Sequence, residues 1–151
     1  AEEIQSFASA RLERADGVAT EDSGAFEGVM AGLALPKSTD EEKAARRRQI
    51  GAATYAAAEV PFETASLALD LLSKLPSLAR SGNANAVTDV GVAGLLASAA
   101  AKGALFNVDI NLESLPDEMA ADLKAQSSIV GEKTRIASRA VMNEVRNRMK
   151  Q

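Results

Sequence analysis

Five side chains in the second half of the chain have types and spacings that can do chemistry. Asn83, Asn85 and Asp89 lie in a polar stretch, Gly82-Asn83-Ala84-Asn85-Ala86-Val87-Thr88-Asp89, that leads into a long apolar segment, and Asn107 and Asn111 lie at the far end of that segment. A carboxylate can take up and hand on a proton, and carboxamides orient a ligand through hydrogen bonds. Asn85 and Asp89 are four residues apart, so on a helix they point the same way. Spacing alone favours a plainer reading: Gly82 closes one helix, Asn83 or Asn85 caps the next, and Asp89 is a solvated carboxylate. The chain has no Cys and no His. Disulfides, thiol nucleophiles, Ser-His triads and most zinc sites are thereby removed, and acid–base chemistry has to come from Asp, Glu, Lys or Tyr. Asp22 is a further carboxylate, read more plainly as a solvated helix residue. Lys43, Arg46, Arg47 and Arg48 put four cations in six residues. They could hold an anionic ligand tail, but a solvated face pairing with Glu41 and Glu42 is the favoured reading.

The elements that must position these groups read as helices throughout. Apolar residues Ile4, Phe7, Leu12, Val18, Phe26, Val29, Met30 and Leu33 give a helical segment that ends at Pro36. Gly17, Gly24, Gly28 and Gly32 weaken it or mark close helix contacts. Thr39 and Glu42 form a capping box for the next helix, whose first turn is acidic. From Ile50 to Leu78 apolar slots recur at three and four residues. Thr64 takes one slot, and Pro61, flanked by Glu59 and Glu63, either kinks this helix or starts a second one. The helix after Gly82 runs through Val87, Val90, Leu95, Leu96 and Leu105, with an Ala- and Gly-rich middle. Gly103 interrupts or thins it, and the alternating Val108, Ile110 and Leu112 are taken as helical or irregular, since no partner strand is in sight. Ser114 is expected to cap the last helix, with Pro116 near its start. Arg139, Arg146, Arg148 and Lys150 suit its C-terminal dipole.

The whole chain has 151 residues, a net charge of −4 and a pI near 5.0, with only four Phe, one Tyr and no Trp. A core of Ala, Leu, Val and Ile suits closely packed helices, and this length suits one domain covering residues 1–151. The acidic balance argues against a general nucleic-acid or membrane-surface binder. No apolar run approaches the ~20 residues that span a bilayer, and no signal peptide is visible, so the expectation is a soluble cytoplasmic protein. The fold class expected is all-α, a bundle of long, mostly antiparallel helices.

Helix geometry adds one expectation about assembly. Asn85 to Asn107 and Asp89 to Asn111 are each 22 residues apart, close to six turns, so each pair shares a face but lies about 33 Å apart along the axis. One copy cannot gather them at one small-molecule site. An antiparallel second copy crossing near residue 98, across the small Ala and Gly residues, would bring Asn85 and Asp89 beside Asn111 and Asn107 of its partner. A two-fold homodimer with two composite sites follows.

Several stretches, in order, resemble the cyclodeaminase family, which comprises the folate domain of formiminotransferase-cyclodeaminase and the related bacterial methenyltetrahydrofolate cyclohydrolases. They are Asp22, Ala25-Phe26 and Val29-Met30; Leu35-Pro36-Lys37 with Asp40-Glu41-Glu42-Lys43; Ala58-Glu59-Val60-Pro61; Gly82-Asn83, Asn85 and Thr88-Asp89; and Asn107-Val108 with Ile110-Asn111-Leu112. The family usually has Ser where Thr88 stands. It also has an earlier helix introduced by a Pro-Gly-Gly-Gly-type stretch that this sequence lacks, so a fragment or a shortened member is expected. The resemblance implies conversion of 5-formimino-tetrahydrofolate to 5,10-methenyl-tetrahydrofolate with release of ammonia, or hydration of the methenyl compound to 10-formyl-tetrahydrofolate. A non-catalytic helical interaction module is the rival of another class. Under the resemblance Asp89 is the general acid and base, with Asn85 beside it, and Asn83, Asn107 and Asn111 bind and position the substrate. Lys37, Lys43 and Arg46 meet its glutamate carboxylates. No metal or redox cofactor is required, and the partners are a folate substrate and a second copy of the chain.

Overall fold

The computed structural model describes the backbone of residues 2–150 and the side chains of all of these except Glu2, Glu3, Ile4, Ala19 and Asp22. The apolar slot of Ile4 and the carboxylate of Asp22 therefore lie outside the described residues. Four long helices follow one another: α1 (Glu2–Ala34), α2 (Asp40–Ser81), α3 (Val87–Glu113) and α4 (Asp117–Arg148), with a 3-10 turn at Ala84–Ala86. No strand occurs among the described residues, and successive helices run antiparallel, as the all-α expectation requires. α2 is the central element and packs against each of the other three.

Local sequence explains most boundaries. Pro36 follows the end of α1, and Thr39 caps α2: its hydroxyl accepts from Glu42 N at 3.1 Å while the Glu42 carboxylate accepts from Thr39 N at 3.1 Å. Both Pro61 and Pro76 stand inside α2, which continues through them as one helix of 42 residues. Gly82 closes α2 by donating its N–H to Leu78 O at 2.8 Å. Its backbone is extended (φ −77°, ψ −178°) and not left-handed. Glycine is needed here for proximity, because a Cβ would lie 2.5 Å from Leu78 O.

Two boundary expectations and one ion-pair expectation are corrected. Asn83 is the cap, with Oδ1 accepting from Asn85 N at 3.0 Å, and what it caps is the 3-10 turn. Asn85 sits in that turn, so it does not share a regular helical face with Asp89 or Asn107. Ser114 does not cap α4. It ends α3, donating its hydroxyl to Asn111 O at 2.9 Å, and α4 begins after Pro116 without a side-chain cap. A serine between two helices can serve either end, and here it serves the carbonyl end. Lys43 pairs with Asp40 (3.1 Å) rather than with Glu41 or Glu42, the i,i+3 partner on the first turn.

The core forms where α2, α3 and α4 meet. Leu72, Leu75, Val87, Val90, Val141 and Val145 make one apolar cluster, and Ala58, Val108, Leu112, Leu115 and Leu123 another. The small residues of α3 are largely used inside the chain. Gly94 lets α4 come so close that a Cβ would sit 2.7 Å from Val141 Cγ1, and at Gly91 it would lie 3.3 Å from Val145 Cγ1. The expectation that the whole smooth stripe serves a second copy is revised accordingly. What α3 leaves outside is Ala99, Ala100 and Gly103 at its middle, with Val92, Leu95 and Leu96 on one side and Phe106 and Ile110 on the other. Phe106 is 74% exposed and Leu96 66%. The expectation that no segment is apolar enough to span a bilayer is also corrected. Ala84–Glu113 is long and apolar enough by length and composition, and its buried side faces α2 and α4 as a core helix does.

Candidate functional site

The carboxylate and three of the four candidate carboxamides fall in three grooves along α3. At its N-terminal end Asn83 and Asp89 line a groove of about 390 Å³ with Leu75, Leu78 and Ala93. Both polar residues are exposed there. Near the other end Asn107 lines a groove of about 450 Å³ between α1 and α3, with Val60, Pro61 and Thr64 of α2 beneath it. One turn on, Asn111 lines a third groove, of about 380 Å³, with Phe26, Val29 and Thr54. Asp89 and Asn107 are 18 residues apart, five turns, so they project from the same flank of α3 about 27 Å from each other. Within one chain they do not meet.

Asn111 is held tightly. Its Nδ2 donates to Ala57 O at 3.2 Å across the α2–α3 contact and to Asn107 O at 3.0 Å. Asn85 is exposed in the 3-10 turn, with its N–H on Asn83.

The cations stand apart from these grooves. Lys37 is exposed between α1 and α2, and Lys43 is held by Asp40. Arg46 donates to Leu33 O with Nη2 at 3.2 Å, completing the last turn of α1. Arg46 is 11 residues from Ala57 along α2, about 16 Å. That separation suits opposite ends of an extended ligand.

A charge network missed in the sequence ties α1 to α2 near the Asn107 groove. The Arg14 guanidinium donates to both Glu63 and Glu21 carboxylates. These bonds, to Glu21 first, raise the Arg14 pKa, and the bond from Arg14 holds the Glu21 carboxyl below the usual carboxylate range. Glu21 is seven residues from Arg14, a separation that could have suggested one face, but Glu63 joins only through the α1–α2 contact. The residues Phe26, Val29 and Thr54 around Asn111 were likewise not singled out for one site, because α1 and α2 supply them at a distance in sequence. Among the described residues no group of three or more Asp or Glu is placed to hold a metal ion.

Comparison with known proteins agrees with this fold. Residues 1–128 match the model of the formiminotransferase-cyclodeaminase family. A methenyltetrahydrofolate cyclohydrolase of Methylorubrum extorquens is 38% identical over 106 residues, 70% of this chain and 51% of that protein. A formimidoyltransferase-cyclodeaminase of Gallus gallus is 40% identical over 97 residues, 64% of this chain and 18% of its own length. A crystal structure of formiminotetrahydrofolate cyclodeaminase from Thermotoga maritima superposes with a TM-score of 0.74 at 26% identity, covering 87% of this chain and 62% of that one. The chain thus spans about half the length of the cyclohydrolase and a smaller share of the larger relative. With most of its length matched by the family model and its helices by a solved cyclodeaminase, the chain belongs to the formiminotransferase-cyclodeaminase family.

Proposed function

We propose that two copies of this chain act together on the one-carbon unit of a tetrahydrofolate, closing 5-formimino-tetrahydrofolate to 5,10-methenyl-tetrahydrofolate with release of ammonia. The observation that carries the reading is the exposed flank of α3. Asp89 and Asn107 lie five turns apart on the same side of an apolar strip, with small residues at its middle. An antiparallel copy crossing at that middle sets Asp89 of one chain beside Asn107 of the other. Covering Val92, Leu95, Leu96, Phe106 and Ile110 also supplies the apolar burial that association needs.

In such a site N10 attacks the carbon of the cationic formimino group and gives a tetrahedral carbon bearing N5, N10 and the amino group. The Asp89 carboxylate removes the N10 proton and returns it to the amino group. The carbon–nitrogen bond then breaks, leaving ammonia and the methenyl cation. The carboxylate also offsets the positive charge carried throughout. Asn85, Asn83, Asn107 and Asn111 orient the heterocycle, and Lys37, Lys43 and Arg46 meet the glutamate carboxylates about one folate length away. The chemistry needs no metal or redox cofactor, and it belongs to a soluble cytoplasmic protein.

The 38% identity to a cyclohydrolase favours a second reading at the same groups. Water would add to the methenyl carbon, Asp89 would take its proton and pass it to N5, and the N5–carbon bond would break to give 10-formyl-tetrahydrofolate with one net proton released. Absorbance at the methenyl band tests both readings. Growth of the band from the formimino substrate, with ammonia released, supports the first. Accelerated loss of the band supports the second. No change in either assay with folded, dimeric protein favours the non-catalytic helical module instead.

A further inference from the structure

Pro61 stands in the interior of α2, where a proline has no N–H to offer the carbonyl four residues before it. That carbonyl is Ala57 O, and it receives Asn111 Nδ2 at 3.2 Å; the other amide bond, to Asn107 O, is 3.0 Å. Both acceptors are carbonyl oxygens, which cannot donate. The nitrogen of the Asn111 carboxamide must therefore face them, and the way the amide points follows from its partners alone.

This leaves Asn111 with only half its usual hydrogen-bonding range. Both N–H groups are consumed, so Oδ1 is the one polar atom left, and among the described residues no protein group donates to it. The side chain is half-buried at the wall of the groove that also holds Phe26, Val29 and Thr54. A free carboxamide would accept a ligand in either sense. This one can only accept a hydrogen bond, so it turns away carboxylates, which also only accept, and selects N–H donors.

We propose that Pro61 and Asn111 work as a pair. The breach that the proline opens in α2 locks the Asn111 amide, and its Oδ1 takes an N–H from the aminopyrimidinone edge of the bound pterin. Asn111 is then the residue that touches the ligand, and Pro61 a positioning residue that acts through it. The inference rests on the folate reading and adds the orientation of the ligand, with the N–H edge at this groove and the carboxylate end toward Arg46.

The test is a cycle of Asn111→Ala, Pro61→Ala and the double variant, read by thermal unfolding and by steady-state kinetics. Asn111→Ala leaves Ala57 O unsatisfied and should lower Tm. Pro61→Ala restores a backbone N–H to that carbonyl, so the double variant should regain most of the lost Tm. Recovered stability should not recover binding: KM should stay about ten-fold above wild type in the double variant with kcat changed less, as expected for one lost ligand hydrogen bond. A stable double variant with wild-type KM would overturn the ligand contact. Failure of Pro61→Ala to rescue Tm would overturn the pairing while leaving the folate reading intact. Wild-type protein that turns over neither tetrahydrofolate substrate would overturn the folate reading itself, and the ligand contact with it.

Discussion

Asp89 is the one carboxylate that the proposed reaction cannot spare, and it takes no part in holding the fold. It is exposed on the first turn of α3, with no ion pair or side-chain hydrogen bond among the described residues. Asp89→Asn should accordingly keep the far-ultraviolet spectrum and Tm of wild type while lowering kcat at least about a hundred-fold, the scale of general acid–base catalysis. An active Asp89→Asn protein would remove the residue from the mechanism. Two glycines make a second prediction at this scale. Gly24 is exposed with nothing within 4 Å of a built Cβ, whereas a Cβ on Gly94 would press to 2.7 Å against the buried, β-branched Val141. Gly24→Ala should gain up to about 1 kcal/mol from helix propensity. Gly94→Ala should lose about 1 kcal/mol, the overpacking cost outweighing the same propensity gain. Chemical denaturation of both variants measures the difference in sign.

Between elements, α1 depends on α2, and the Arg14 network is the polar part of that contact. The Glu21 pKa in the folded protein is lowered, chiefly by its hydrogen bond from Arg14. The corresponding stabilisation is therefore fully present above the ordinary value of 4.5 and is lost as pH falls through the lowered value. Arg14→Gln should narrow the difference in Tm between pH 7 and acid pH, and an unchanged difference would show that the network contributes nothing at this contact. How far the sequence foretold the elements depended on the range of the interaction. The Thr39–Glu42 capping box and the stop at Pro36 are local, and both were legible. Ser114 was assigned to the wrong helix because its hydroxyl can serve either end. Pro61 was seen as a kink or a start; α2 runs through it as one helix, and Asn111, 50 residues later, gives the Ala57 carbonyl a side-chain donor. The candidate site was legible only as residue types. Its division into three grooves, and the share that α1 takes in two of them, arise from helix contacts that spacing along the chain does not encode.

For the molecule as a whole, the bundle satisfies its core with α2, α3 and α4 and leaves one long side of α3 apolar and bare. A single chain holds the proposed acid–base group, Asp89, and the Asn107 amide about five helical turns apart. Leu96→Glu should disrupt the antiparallel pairing without touching the core, giving a folded monomer by sedimentation and abolishing turnover. A dimer that persists in this variant would move the interface elsewhere. The most direct test of the composite site mixes two defective proteins. Asp89→Asn and Asn107→Ala chains, each inactive alone, are unfolded together and refolded as a mixture. If each site takes Asp89 from one chain and Asn107 from the other, half of the dimers are mixed and each has one intact site, so about a quarter of wild-type activity should return. No recovery, with mixed dimers shown to have formed, would contradict a site shared between two copies.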